Sequence, residues 1–192
     1  MPCGKRVVAM ASEIHPLDRI VPLANALEAK GFQPILIGGM ALVVLGSRRI
    51  TADFDFLVSA QAVPPDLVEA FYREGFELVT KFDPEGGVKR TIDNPRVAAA
   101  RMNMDKPPSA FFYDWKTGLK IDLLFDFPLP ARELADRSAR IDTASGFVRV
   151  ASPEDLLRLK EIAYADRKSA ADAQDLEFLR RLLKTRKERR RR

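Results

Sequence analysis

Residues 53–58 read Asp-Phe-Asp-Phe-Leu-Val, and no other run restricts the fold as much. On a strand, side chains two apart share a side, so Phe54 and Phe56 enter a core while Asp53 and Asp55 project together. Two carboxylates about 7 Å apart on one strand face repel one another. A divalent cation relieves that repulsion, and magnesium takes such oxygen ligands together with substrate phosphates. The plainer alternative is an exposed strand face with Arg48 or Arg49 as salt-bridge partners.

Around this run the chain alternates strands and helices. Ile20, Leu23, Ala24 and Leu27 recur at helical spacing within 17–30, and Gly31 follows as a C-cap. Pro34-Ile35-Leu36-Ile37 reads as a buried strand ended by Gly38-Gly39, with a small helix from Met40 to Leu45 closed by Gly46. Glycines there let backbone N–H groups approach a phosphate at a helix N-terminus, although a Gly-Gly pair alone equally fits a tight turn. Pro64-Pro65 opens a helix through Tyr72. Phe76–Phe82, Val97–Met102 and Ala110–Trp115 read as short strands of a meander, with a mobile loop at Gly86-Gly87.

Lys120 to Phe127 is a clear amphipathic strand. Ile121, Leu123, Phe125 and Phe127 share one face, and Lys120, Asp122, Leu124 and Asp126 share the other. Ser152-Pro153-Glu154-Asp155 then makes a helix start, with Ser at the N-cap and acids in the first turn. Leu156, Leu159 and Ala163 form its apolar stripe, and a last helix runs from about Ala170 to Lys184. The expected fold class is α/β (α+β), a mixed sheet flanked by helices and followed by a helical C-terminal part. The expected division is an α/β domain over 1–150, packed helices over 151–184 and a basic tail over 185–192.

Charge distribution refines this. The net +5 combines +8 over residues 180–192 with −3 over 1–179, so the basicity belongs to the tail. Such a block is either an RNA-binding arm or a solvated helix end. One cysteine, Cys3, and one histidine, His15, exclude a disulfide framework and a multi-histidine or cysteine-rich metal centre. No apolar run reaches the ~20 residues of a membrane span, and no signal-peptide-like region opens the chain. The expectation is a cytoplasmic protein.

Together the motifs carry a resemblance. Ile37-Gly38-Gly39, thirteen intervening residues, Asp53-x-Asp55 on a strand and Asp122 on a later strand resemble the signature of the polymerase-β-like nucleotidyltransferases. The fuller string Gly38-Gly39-Met40-Ala41-Leu42, Gly46, Arg49, Thr51, Asp53, Asp55 is similar to minimal nucleotidyltransferases, including the AbiEii-like toxins of toxin–antitoxin pairs. So is the end, with Ser152 to Leu156, Lys160, Arg167 and Asp172-x-x-Asp175. The likeness spans about 17–183 and is dense at 36–58, 119–125 and 152–179.

The resemblance implies transfer of a nucleoside monophosphate from a nucleoside triphosphate (NTP) with Mg²⁺, or Mn²⁺. Asp53, Asp55 and Asp122 would be the metal ligands and catalytic carboxylates, with Asp122 helping to deprotonate the acceptor hydroxyl and Asp126 as an alternative base. Gly38, Gly39 and Met40 would hold phosphates, with Lys160 and Arg49 as neutralising cations. Asp172 and Asp175 would anchor helices through Arg167 or similar partners. Where the superfamily often has Ser, this chain has Met40, leaving only backbone amides for a phosphate; residues 82–108 match nothing in the pattern. Implied partners are the NTP, an RNA or tRNA acceptor met by the tail, and an antitoxin protein. Two further readings stand beside this one: a catalytically silent protein that binds RNA or a partner, and an enzyme acting on a small antibiotic-type acceptor.

Overall fold

A computed structural model describes residues 16–59 and 65–189; Cys3, His15 and Arg190 to Arg192 lie outside this range. After a short 3-10 turn at Pro16–Arg19 come α1 (Val21–Ala29), β1 (Ile35–Ile37), α2 (Gly38–Val44), β2 (Phe54–Val58) and α3 (Pro65–Arg73). Then follow β3 (Glu77–Phe82), β4 (Val88–Ile92), α4 (Pro95–Asp105), β5 (Ser109–Tyr113), β6 (Lys120–Phe125) and α5 (Ala131–Ala135). The chain closes with β7 (Ala139–Thr143), β8 (Gly146–Val150), α6 (Pro153–Arg167) and α7 (Ala170–Arg189).

The strands form one mixed eight-stranded sheet in the order β4-β3-β5-β6-β2-β1-β8-β7. β2 runs parallel to β6 and β1 parallel to β8; the other pairs are antiparallel. The alternation expected of β2 and β6 holds as far as Phe125, where β6 ends; Phe127 lies beyond the strand, is exposed and lines the carboxylate side instead of joining the face of Ile121. Phe54, Phe56, Ile121, Leu123 and Phe125 are buried, whereas Asp55 and Asp122 are only partly so. Phe71 of α3 stacks on Phe112 of β5 with centroids 3.9 Å apart, and Phe76 meets Phe71 edge-on. This aromatic packing fixes the core side of the sheet and leaves the carboxylates on the opposite side.

Residues 97–102 depart from expectation: they are helical, not extended. Asn94 Oδ1 accepts from the N–H groups of Arg96 and Val97, Pro95 sits in the first turn, and Lys106 closes the helix in the left-handed region. The Asn-Pro start and three consecutive alanines outweigh one β-branched Val97. Gly86-Gly87 forms the turn of the β3–β4 hairpin, tied by Asp83, whose carboxylate accepts from Gly87 N–H at 2.6 Å. The hairpin's second strand, β4, and the β7–β8 hairpin are additional to the expected elements. α7 continues through Arg189, so residues 185–189 are helical; Lys and Arg are good helix formers and favourable at a helix C-terminus. No helix among the described residues is long and apolar enough to cross a membrane.

Candidate active site

Parallel pairing of β2 with β6 builds the site as three rungs on one face. Asp55 is the register partner of Asp122 and Leu57 that of Leu124. One step before them, Asp53 Oδ2 lies 3.1 Å from Lys120 Nζ. The ladder therefore runs from an opposite-charge pair through a like-charge pair to an apolar pair. Like charges directly opposite one another oppose folding, so the Asp55–Asp122 rung is the costly one.

Its electrostatics show the cost. Burial pushes the Asp55 carboxyl above its usual range, with Asp53 adding to the rise and Lys160 opposing it. Asp122 is pushed up to about 7, by burial first and then by Asp55. Asp122 Oδ1 is buried without a hydrogen-bond partner, although buried carboxylate oxygens are ordinarily satisfied.

Glycine brings the backbone to this pair. Gly38 has φ +64°, and a Cβ there would stand 1.9 Å from Asp55 Oδ2. Only glycine permits both the left-handed conformation and that approach. At Gly39 a Cβ would meet Arg49 Nε at 3.0 Å and Thr51 Oγ1 at 3.2 Å. Met40 is buried in the core, so its side chain contributes nothing to the cavity and only its backbone N–H remains available.

These groups line a cavity of about 580 Å³ with Ile37, Thr51, Phe127 and the inner side of α6. Lys160 reaches it from α6 and is buried between Asp172 at 3.0 Å and Asp175 at 2.7 Å. Arg49 pairs with Asp175 as well, and Arg167 pairs with Asp172. One network thus ties the loop before β2 to both C-terminal helices. The same fold brings Asp53, Asp55, Asp122, Gly38, Gly39, Arg49 and Lys160 to one cavity, but the two cations arrive already engaged by Asp172 and Asp175.

Asp126 is not with them. It lies beyond β6 at φ +47°, where its carboxylate accepts from Ala131 N–H at 2.7 Å and from Ser59 Oγ at 3.2 Å. It caps α5 instead of facing the cavity, because the strand ends at Phe125.

Among the described residues, no group of three or more His, Cys, Asp or Glu side chains is disposed to hold a metal ion. Asp53 is drawn to Lys120, which leaves Asp55 and Asp122 as the paired donors. That pair suits magnesium: all its donors are oxygen, one is unpartnered, and magnesium commonly binds one or two carboxylates with substrate phosphates completing its shell. Sequence reasoning missed the role of Lys120, whose alternation with Asp122 had marked it only as polar surface.

The family model described as "Nucleotidyl transferase AbiEii toxin, Type IV TA system" matches residues 23–190. No curated protein matches the chain. Among solved structures, an antigenic nucleotidyltransferase-like protein from Paracoccidioides brasiliensis aligns with TM-score 0.51 and 17% identity, over 85% of this chain and 75% of that one. The lincosamide antibiotic adenylyltransferase LnuA, lincomycin-bound, aligns with TM-score 0.51 and 12% identity, over 87% of this chain and 96% of that one. These likenesses establish a nucleotidyltransferase-type fold.

Proposed function

Because this chain belongs to the AbiEii nucleotidyltransferase toxin family, we propose that it transfers a nucleoside monophosphate from an NTP to a hydroxyl of an RNA or protein acceptor. The observation that carries the proposal is the Asp55–Asp122 pair with its unpartnered oxygen, set against Gly38.

Asp55 and Asp122, with Asp53 once released from Lys120, would hold magnesium or manganese. The metal, when bound, neutralises charge on the attacking and leaving oxygens. Gly38, Gly39 and the backbone of Met40 direct N–H groups toward the terminal phosphates. Lys160 and Arg49 place positive charge on the cavity wall, held there by Asp172 and Asp175. The acceptor oxygen bonds to the α-phosphorus as the bond to the pyrophosphate oxygen breaks. The hydroxyl proton passes to Asp122, which faces the cavity directly opposite Asp55.

Incubation with each α-labelled NTP, magnesium and total tRNA tests this, with Asp53→Asn/Asp55→Asn as control. Label on RNA or protein that the control lacks is the expected result. Silence with all four nucleotides and either metal defeats it. A second reading, a catalytically silent binder of RNA or an antitoxin, draws on the buried Met40 and on Asp53 being held by Lys120. On that reading no nucleotide raises the melting temperature. The likeness to a lincosamide adenylyltransferase makes a small antibiotic the acceptor to try if RNA and protein stay unlabelled.

A further inference from the structure

Two kinds of ion pair border the carboxylates, and they differ in how firmly they hold. Lys160 is buried with Asp172 and Asp175, each of these side chains 11% exposed or less. Lys120 and Asp53 meet across the first rung of the β2–β6 ladder at 3.1 Å, with side chains 28% and 52% exposed. A buried pair opens only by leaving a charge unpaired in the interior. An exposed pair opens easily, because water replaces the lost contact. The Lys160 network therefore stays closed while Lys120 and Asp53 can separate.

The consequence falls on metal capture. Asp53, Asp55 and Asp122 all line the cavity, and Lys120 does not. Yet among the described residues no three acidic side chains converge as a metal site, because Asp53 is drawn to Lys120. Asp55 and Asp122 remain as the open donors. Magnesium held by two carboxylates ordinarily relies on water and substrate phosphates for the rest of its shell. A bare ion has to compete with the ammonium for Asp53, whereas one arriving with a triphosphate brings most of its oxygen ligands along. Tyr113, the register partner of Lys120 on β5, places an aromatic ring beside the ammonium once it is released.

We propose that Lys120 is a positioning residue that withholds Asp53 from the metal until nucleotide arrives. In the free protein the ammonium occupies Asp53; a metal–triphosphate complex displaces it. The proposal rests on the nucleotidyl-transfer reading above and adds an order of assembly. The first metal binds at Asp55 and Asp122, and Asp53 joins only with the NTP, so the reacting centre is complete only when substrate fills it. A cross-strand pair that merely braced β2 against β6 would behave differently. Its removal would lower stability and leave metal affinity alone, whereas removal of a residue that withholds a ligand raises metal affinity.

Manganese alone is titrated into the full chain without nucleotide, and the free ion is read by electron paramagnetic resonance. Lys120→Met is expected to bind manganese at least about threefold tighter than the unsubstituted protein, since losing even a weak exposed pair frees one ligand. Lys120→Arg is expected to restore the weaker binding. The gain passes through Asp53, so Lys120→Met is expected to bring little or none when Asp53→Asn is also present. Melting curves in chelator identify the folded variants, and Lys120→Gln replaces Lys120→Met if the latter does not fold. Unchanged or weaker manganese binding in a folded Lys120 variant overturns the proposal. So does an equal gain with Asp53→Asn present, which makes Lys120 only a charge near the site. Nucleotide binding is followed separately, by the melting temperature with magnesium and each NTP. A nucleotide response without a gain from Lys120→Met overturns the withholding of Asp53 alone. No nucleotide response from any of these proteins overturns the transfer reading, and the order of assembly falls with it.

Discussion

Asp55 and Asp122 stand directly opposite one another on parallel neighbouring strands, and one Asp122 oxygen has no hydrogen-bond partner. A pair so placed is held by the fold against its own repulsion, which is the mark of a binding group rather than a structural one. Asp122→Asn is expected to lower transfer by about 10²–10⁴-fold while leaving the protein no less stable. A single-turnover assay with melting curves on the same samples checks both. Lost activity accompanied by a lower melting temperature would mark Asp122 as structural.

The pH dependence follows from the same carboxyl. Asp122 has its folded pKa raised from 3.8 to about 7. A raised folded value means that the folded state keeps a proton the unfolded chain has released. Its stabilising contribution is therefore full below about pH 4 and is lost as pH rises to 7. Compared with Asp122→Asn, the unsubstituted protein should lose up to about 2–3 kcal/mol between pH 5 and 7, at 1.36 kcal/mol per pKa unit, and nothing further above 7. Magnesium should narrow that gap at pH 8. Urea titrations of both proteins across this range, with and without the metal, measure it; parallel curves contradict it.

Gly38 offers a steric test. A methyl group there would overlap Asp55 Oδ2 at 1.9 Å, and the residue already sits at φ +64°. Gly38→Ala should cost about 1–3 kcal/mol in backbone strain and contact and reduce NTP binding by displacing Asp55. Gly31→Ala is the control, since it has a similar φ, +85°, with open space around its Cβ. It should show the strain alone, with NTP affinity unchanged by calorimetry. Equal loss of affinity in both variants would detach Gly38 from the site.

The basic end of α7 makes a separate prediction. Asp172 lies at the cavity and Arg189 ends the helix, so the two are about 26 Å apart at 1.5 Å per residue. Cations that far away cannot serve the reacting phosphate, but they can hold the body of a long acceptor. Deleting residues 185–192 should leave NTP affinity unchanged, weaken tRNA binding and reduce its salt slope by several units. Unchanged tRNA binding from 50 to 200 mM salt would reduce the segment to a solvated helix end.

Period-2 alternation made β2 and β6 legible, and the Gly38-Gly39 turn followed from its place after an apolar strand. Asp122 could be joined to the Asp53–Asp55 pair only by resemblance, because nothing local states that β2 and β6 are neighbours. Residues 97–102 look strand-like in isolation, and it is the Asn94-Pro95 cap ahead of them that sets them helical. β7 and β8 were invisible for a different reason: Arg140, Asp142 and Arg149 interrupt their apolar pattern, and pairing partners supply what local pattern does not. Lys120 escaped for a similar reason, since its partner Asp53 lies on another strand.

Asp175 ties three elements at one carboxylate. It is buried and pairs with Lys160 of α6 and with Arg49 in the loop before β2. Lys160 is itself buried and shares Asp172 as its second partner. Removing Asp175 leaves Lys160 with one carboxylate and Arg49 with none, and breaking a buried pair from one side typically costs about 3–5 kcal/mol. Arg49 is more exposed, so water can replace its contact and Arg49→Met should cost much less, about 1 kcal/mol. In a protein of this size, Asp175→Ala should lower the melting temperature by roughly 6–20 °C and Arg49→Met by only about 2–4 °C. If Asp175 acts only through the position of Lys160 and Arg49, Asp175→Ala at a temperature where it remains folded should weaken NTP binding more than either Arg49→Met or Asp172→Asn. Calorimetry on the three variants decides this: a folded Asp175→Ala with full NTP affinity would show that the network braces the helices without setting the cavity wall.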